Sequence, residues 1–220
     1  MSHELEVLPD PEAVAVRAAS LVAARARDAI GAVGHFTFAV SGGRTAARML
    51  ELLGEQDIQW NGVGVWQVDE RVAPVRHPDR NLTLQLAALP EGVELHPMPV
   101  EDADLESAAA AYAADLPGAF DLLHLGIGPD GHTASLVPDD PALEVHDRDV
   151  AVTGEYQGRR RMTLTYPVLD RAREALWLVT SAEKSEALRR LVGHDPQIPA
   201  GRVNTSRQLI VADRAAAAGV

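Results

Sequence analysis

Short apolar runs alternate with helical stretches along almost all of this 220-residue chain, and that alternation leaves few folds open. Pro11 to Ala32 carries Val14, Ala18, Leu21, Val22 and Ile30 at roughly helical spacing and reads as an amphipathic helix. His35 to Val40 reads as a strand, Thr45 to Leu53 as a helix, and Val63 to Val68 as a second strand. Asn81 to Leu89 is predicted helical, Leu95 to Met98 a short strand, and Leu105 to Asp115 an alanine-rich helix. The apolar run Leu122 to Leu125 is predicted to be a buried strand. The pattern loosens through Asp139 to Asp149, which with Val72 to Arg80 is expected to form mobile loops. Val150 to Val152 and Met162 to Thr165 read as short strands, Ala175 to Val179 as a strongly apolar one, Lys184 to Val192 as a helix, and Gln208 to Val211 as a closing strand. Strands that alternate with helices predict an α/β fold, its sheet mostly parallel and covered on both faces. No repeat or linker divides the chain, so a single domain over residues 1–220 is expected.

Composition narrows the function classes. The absence of cysteine excludes a disulfide framework, thiolate catalysis and a Cys-ligated zinc site. A formal net charge of −12 with no basic stripe argues against nucleic acid and anionic membranes as partners. An anionic substrate would then require positive charge concentrated locally at its site. Met1-Ser2-His3-Glu4 has no leader pattern and no apolar run approaches a membrane span, so a cytoplasmic protein is expected.

Three segments fall at the carboxyl ends of predicted strands, where open α/β sheets bind ligands. Gly126 to Pro138 packs three glycines, Asp130, His132 and the hydroxyls of Thr133 and Ser135 into a tight turn. His132 there is either a working group or a satisfied loop histidine. Ser41-Gly42-Gly43-Arg44-Thr45 lies between a strand and its helix, where backbone N–H groups and the helix dipole favour an anion. It is neither a dinucleotide fingerprint nor a P-loop, and a tight turn with a Ser41 cap is the plainer reading. Asp69-Glu70-Arg71 offers two acids and a cation for acid/base work and anion clamping, or forms a solvated turn. Lys184 is the only lysine. Thr180 and Glu183 before it have capping-box spacing, which places it near a helix start, where a bound anion would offset the unfavourable dipole. The alternative is an exposed surface lysine. His3, His146 and His194 read as surface residues, and His35 and His124 as strand residues. No second histidine stands at ligand spacing from His132, so no metal is expected.

Taken together, Ser41-Gly42-Gly43, Asp69-Glu70-Arg71 with His77 and Asn81, Gly126 to Pro138, Arg161 to Thr165, and Lys184 resemble the 6-phosphogluconolactonase family. The wider superfamily includes glucosamine-6-phosphate deaminase. The resemblance implies a Rossmann-like fold and hydrolysis of 6-phospho-D-glucono-1,5-lactone to 6-phospho-D-gluconate, in the oxidative pentose phosphate pathway and without a cofactor. It implies His132 as general base on water, a role that an imidazole titrating near neutral pH suits. Asp130 would orient the ring or hold the water. Ser41, Gly42, Gly43, Arg44, Thr45, Asp69, Arg71 and Lys184 would hold the phosphosugar. A monomer or weak homo-oligomer is expected. Two other readings stand beside it: an amino-sugar phosphate deaminase, and a non-catalytic sugar-phosphate-binding protein. The deaminase carries a glutamate where this chain has Val137, and valine cannot transfer a proton. This chain departs from the lactonase pattern at Arg44, where small polar residues are usual, and at Thr180 to Glu183, where glycine is usual.

Overall fold

Every strand pairing in the main sheet is parallel. A computed structural model describes residues 3–90 and 92–220. Among those residues the main sheet contains seven strands: β1 (His3–Leu8), β2 (Phe36–Val40), β3 (Val63–Gln67), β5 (Glu94–His96), β6 (Leu122–Gly126), β9 (Ala175–Val179) and β10 (Gln208–Asp213). Their spatial order is β1-β10-β9-β6-β2-β3-β5. From β2 the chain steps outward through β3 to β5, then returns to β6 on the other side of β2 and steps outward the opposite way. The carboxyl ends of β2 and β6 therefore flank the topological switch point, where α/β sheets open a crevice.

Helices cover both faces, as the alternating sequence pattern predicts. Along β9, Ala175, Trp177 and Val179 join one core, while Leu176 and Leu178 join the other. The first core also takes Ala108, Ala109 and Tyr112 of α4 (Leu105–Ala114), Val168 and Leu169 of α5 (Tyr166–Arg171), and Leu188 and Leu191 of α6 (Ser185–Val192). The second takes Val14, Ala18 and Val22 of α1 (Pro11–Val33) and Met49, Leu50 and Leu53 of α2 (Arg44–Gly54). Small side chains along α1 let that long helix lie close to the strands.

A second sheet packs at the carboxyl end of the first. β4 (Asp69–Arg71), β8 (Arg161–Leu164) and β7 (Val150–Val152) pair antiparallel in the order β4-β8-β7. It is anchored through Val68, whose N–H donates to Val40 O at 3.1 Å and whose carbonyl accepts from Leu164 N at 2.8 Å. Sequence periodicity does not signal β4, which is only three residues long and wholly polar. Nor does it signal the edge strand β1, whose one partner in the sheet is β10, far away in the chain. His35 stands exposed just before β2, and the stretch after Pro138 winds into a 3-10 turn at Pro141–Glu144. Among the described residues no helix is long and apolar enough to cross a membrane.

Candidate active site

The switch point opens into a cleft of about 250 Å³. The loops after β2 and β6 form one wall, and the small sheet forms the other. β2 and β6 run side by side with Val40 opposite His124, and Ser41 N donates to His124 O at 3.3 Å. Both loops thus start from one fixed point.

In the first loop, Gly43 takes φ 119°, in the left-handed half of the map that glycine tolerates. Gly42 has another reason to lack a side chain: a Cβ there would lie 1.8 Å from Asn81 Oδ1. The Ser41 cap considered above does not form. Gly43 occupies the cap position of α2, and among the described residues no side chain caps that helix and the buried Ser41 Oγ has no hydrogen-bond partner. Among the described residues no side chain caps the first turn of α2, and the helix starts from Gly43, which lines the cleft, as an anion site requires.

The second loop carries His132. Asp130 Oδ1 accepts from His132 N at 3.1 Å and sits 2.6 Å from His132 Nδ1. Asp130 Oδ2 accepts from Tyr156 Oη at 3.0 Å. A carboxylate at Nδ1 accepts from an N–H there, the arrangement that leaves Nε2 as the ring nitrogen available to a ligand. Burial pushes the Asp130 carboxyl up, but the charge of His132 and the hydrogen bonds from His132 and Tyr156 outweigh it and hold the carboxyl below the usual range. Gly128 is required here, because a Cβ at that position would lie 2.1 Å from His132 Nδ1. The turn is pinned from behind where Ser135 N donates to Thr163 Oγ1 at 3.2 Å.

Asp69 and Glu70, adjacent in sequence, separate completely. Asp69 lines the cleft, accepting from Ser135 Oγ at 2.6 Å and from Asn81 Nδ2 at 3.3 Å. Glu70 points away from it and is fully buried. Its oxygens accept from the backbone N–H groups of Asn81 and Leu82, both at 2.8 Å, and so cap α3 (Asn81–Ala88). It also pairs with Arg80 at 3.0 Å, with both side chains at most 1 % exposed. The reading of Glu70 as an acid/base group gives way to a structural one, since strand alternation turns it from the ligand.

Arg71, Arg161 and Lys184 converge on the cleft. Arg71 donates to Asp79 O at 2.7 Å and Asn81 Oδ1 at 2.8 Å, yet its Nε is buried without a partner. Arg161 reaches Gln157 Oε1 at 3.3 Å, and its Nε is also buried and unpartnered. Burial lowers the pKa of Arg161, the charge of Asp69 opposes this and Arg71 adds to it, leaving the pKa below the usual value. Lys184, just ahead of α6, is likewise held low, first by burial and then by Arg44, against Glu183 and Asp213. Full burial, with the charge of Lys184 adding to it, pushes the His124 imidazole down to about 3, so His124 is a neutral core residue. The capping box does not form: Thr180 Oγ1 bonds Thr45 Oγ1 at 2.9 Å, and no side chain caps the start of α6.

Of the residues expected at the site, Ser41, Gly42, Gly43, Asp69, Arg71, His132 and Lys184 line the cleft, with Asp130 behind His132. Arg44 and Thr45 face a separate groove shared with Thr180 and Ser181. His77 lies outside the cleft lining and meets Asp79 and Arg159 instead. The structure adds Asn81, Gln157 and Arg161 to the lining and Tyr156 behind it. Asn81 and Arg161 belonged to the resembling segments; nothing in the local sequence marks Tyr156 or Gln157.

Residues 9–211 match the model of a family described as glucosamine-6-phosphate isomerases/6-phosphogluconolactonase. A 6-phosphogluconolactonase of Synechocystis sp. is 37% identical, the alignment covering 96% of this chain and 95% of that one. One of Mycobacterium tuberculosis is 33% identical over 99% of this chain and 98% of its own. The crystal structure of a 6-phosphogluconolactonase from Thermotoga maritima has the same fold, at a TM-score of 0.86 and 24% identity, over 96% of this chain and 100% of that one.

Proposed function

This chain belongs to the family of glucosamine-6-phosphate isomerases and 6-phosphogluconolactonases, and on that premise we propose how its cleft works. It hydrolyses 6-phospho-D-glucono-1,5-lactone to 6-phospho-D-gluconate, a step of the oxidative pentose phosphate pathway. One observation carries the reading. An imidazole with Nδ1 held by a carboxylate lines the same cleft as three buried donors without partners among the described residues, Ser41 Oγ, Arg71 Nε and Arg161 Nε. Buried donors without partners are costly, and a phosphosugar supplies the acceptors.

The 6-phosphate binds the Ser41-Gly42-Gly43 loop at the uncapped start of α2, with Lys184 and Arg161 supplying charge. Glu183 and Asp213 reach Lys184 through their charge, but neither forms an ion pair with it among the described residues. Arg44 adds a favourable field from outside the cleft. Asp69 and Asn81 face the sugar hydroxyls. Held by its remote phosphate, the lactone presents C1 to a water next to His132 Nε2. That nitrogen takes a proton as the water oxygen bonds C1, and the cationic lining offsets the charge on the carbonyl oxygen. The ester bond from C1 to the ring oxygen then breaks, and the imidazolium returns its proton to that oxygen. Asp130, ionised beside it, stabilises the imidazolium between the two transfers. The 1,2-proton shift of an isomerase needs further acid/base groups, and the position where the deaminase has its glutamate is the buried apolar Val137. We place the enzyme in the cytoplasm, a reading supported by its cysteine-free composition, and propose a monomer or weak homo-oligomer.

The test is hydrolysis of freshly prepared lactone, followed above the spontaneous buffer rate. Wild-type protein accelerates it and releases no ammonia from glucosamine 6-phosphate; ammonia with fructose 6-phosphate would overturn the reading. Lys184→Ala raises KM by roughly 10- to 100-fold with kcat little changed, as loss of a charged contact made equally in ground and transition states does. A fall in kcat at constant KM would move Lys184 from the phosphate to the oxyanion.

A further inference from the structure

We propose that Tyr156 is a positioning residue for the catalytic histidine, acting through Asp130; this rests on His132 being the base. Tyr156 lies in the turn between β7 and β8, where Tyr156 and Arg159 form an isolated antiparallel bridge. Its hydroxyl donates to Asp130 Oδ2 at 3.0 Å, while Asp130 Oδ1 lies 2.6 Å from His132 Nδ1. The carboxylate is thus held at both oxygens, by the phenol on one side and the imidazole on the other. The Tyr156 ring meets the His132 ring edge-on, at 5.4 Å between centroids and 66° between planes. Arg161 lies over the other part of this assembly, its Cζ 4.9 Å from the Tyr156 centroid. Tyr156 is absent from the cleft lining, whereas its neighbour Gln157 and its partner Arg161 are in it.

Three consequences follow from that arrangement. A carboxylate bonded through one oxygen alone can swing about its side-chain torsions; the phenol removes that freedom and so fixes where His132 Nε2 points. The hydroxyl also draws charge from Asp130, which moderates how strongly the carboxylate favours the imidazolium. Finally, the cation over the ring couples the base to Arg161, a group that meets the ligand. Asp130 stays ionised in this setting, its carboxyl held low by the groups around it. The groups that face it are His132, Tyr156 and, across the ring, Arg161.

Tyr156→Phe keeps the ring, its edge contact and the arginine above it, and removes the hydroxyl alone. The variant is expected to lose roughly 10-fold in kcat with KM unchanged, since only the aim of the base is relaxed. The acid limb of its kcat/KM profile moves to higher pH by about 0.3–0.5 unit, because an undispersed Asp130 charge favours the protonated base. In an Asp130→Asn background the same substitution adds no further loss, as expected for two residues acting in series. Equal costs in both backgrounds, or an unmoved pH limb, would overturn the role of Tyr156. His132→Ala run alongside separates the two claims. If that variant keeps full activity, the base assignment itself fails; if it is inactive while Tyr156→Phe behaves as wild type, only the present inference does.

Discussion

His132→Ala lowers kcat for lactone hydrolysis by roughly 10²- to 10⁴-fold, the range that one positioned general base contributes. The expected loss is this large because no other group is poised to replace it. Asp130 already faces the Nδ1 side of the ring and the Tyr156 hydroxyl. Asp69 is engaged by Ser135 and Asn81. The phosphate-binding elements lie on other parts of the chain, so 6-phosphogluconate still binds the variant with nearly unchanged affinity. Stopped assays against the spontaneous rate give kcat, and calorimetry with the product gives binding. An active alanine variant would remove His132 from the chemistry. A variant that no longer binds product would instead place the imidazole on the ligand in the ground state.

Glu70→Ala destabilises the fold by about 3–5 kcal/mol, the cost of breaking a buried ion pair from one side. The substitution strands the Arg80 guanidinium, 1 % exposed, with only Glu101 and the Ala73 carbonyl for company. It also removes the acceptor for the N–H groups of Asn81 and Leu82 at the start of α3, and for Gln67 Nε2 at 3.0 Å. Guanidinium unfolding reads the loss as a lower midpoint at unchanged slope. Normal stability with lost turnover would return Glu70 to the chemistry. Replacing Glu70 and Arg80 together by leucine and methionine recovers part of the deficit, since two apolar side chains leave no fully buried charge unpaired and Glu101, which loses Arg80, is partly exposed to solvent.

The two acids show where sequence reading stops. Asp69 and Glu70 stand next to each other, and nothing in the segment ranks one above the other. β4 settles it by register, with Asp69 opposite Thr163 and Glu70 opposite Met162 on β8. Successive side chains of a strand point to opposite faces, so one acid reaches the cleft and its neighbour the interior. Arg44 and Thr45 show the same limit. Their place after the glycine pair suits a phosphate loop, but the rotation of α2 turns them toward a neighbouring groove.

Local pattern alone determined the α/β fold class. Apolar runs of strand length, amphipathic stretches between them and glycines at the strand ends all express short-range sterics and burial. The same locality located the turn of His132, because a tight glycine-rich loop after a buried strand is a feature of consecutive residues. Tertiary structure alone decided which distant side chains meet there. Tyr156 reaches a carboxylate 26 residues earlier, and Ser135 one 66 residues earlier. Lys184 joins Ser41 across the sheet because β9 and β2 both neighbour β6. Such contacts depend on strand order and register, which are set by the packing of the whole core and leave no mark on the few residues they bring together.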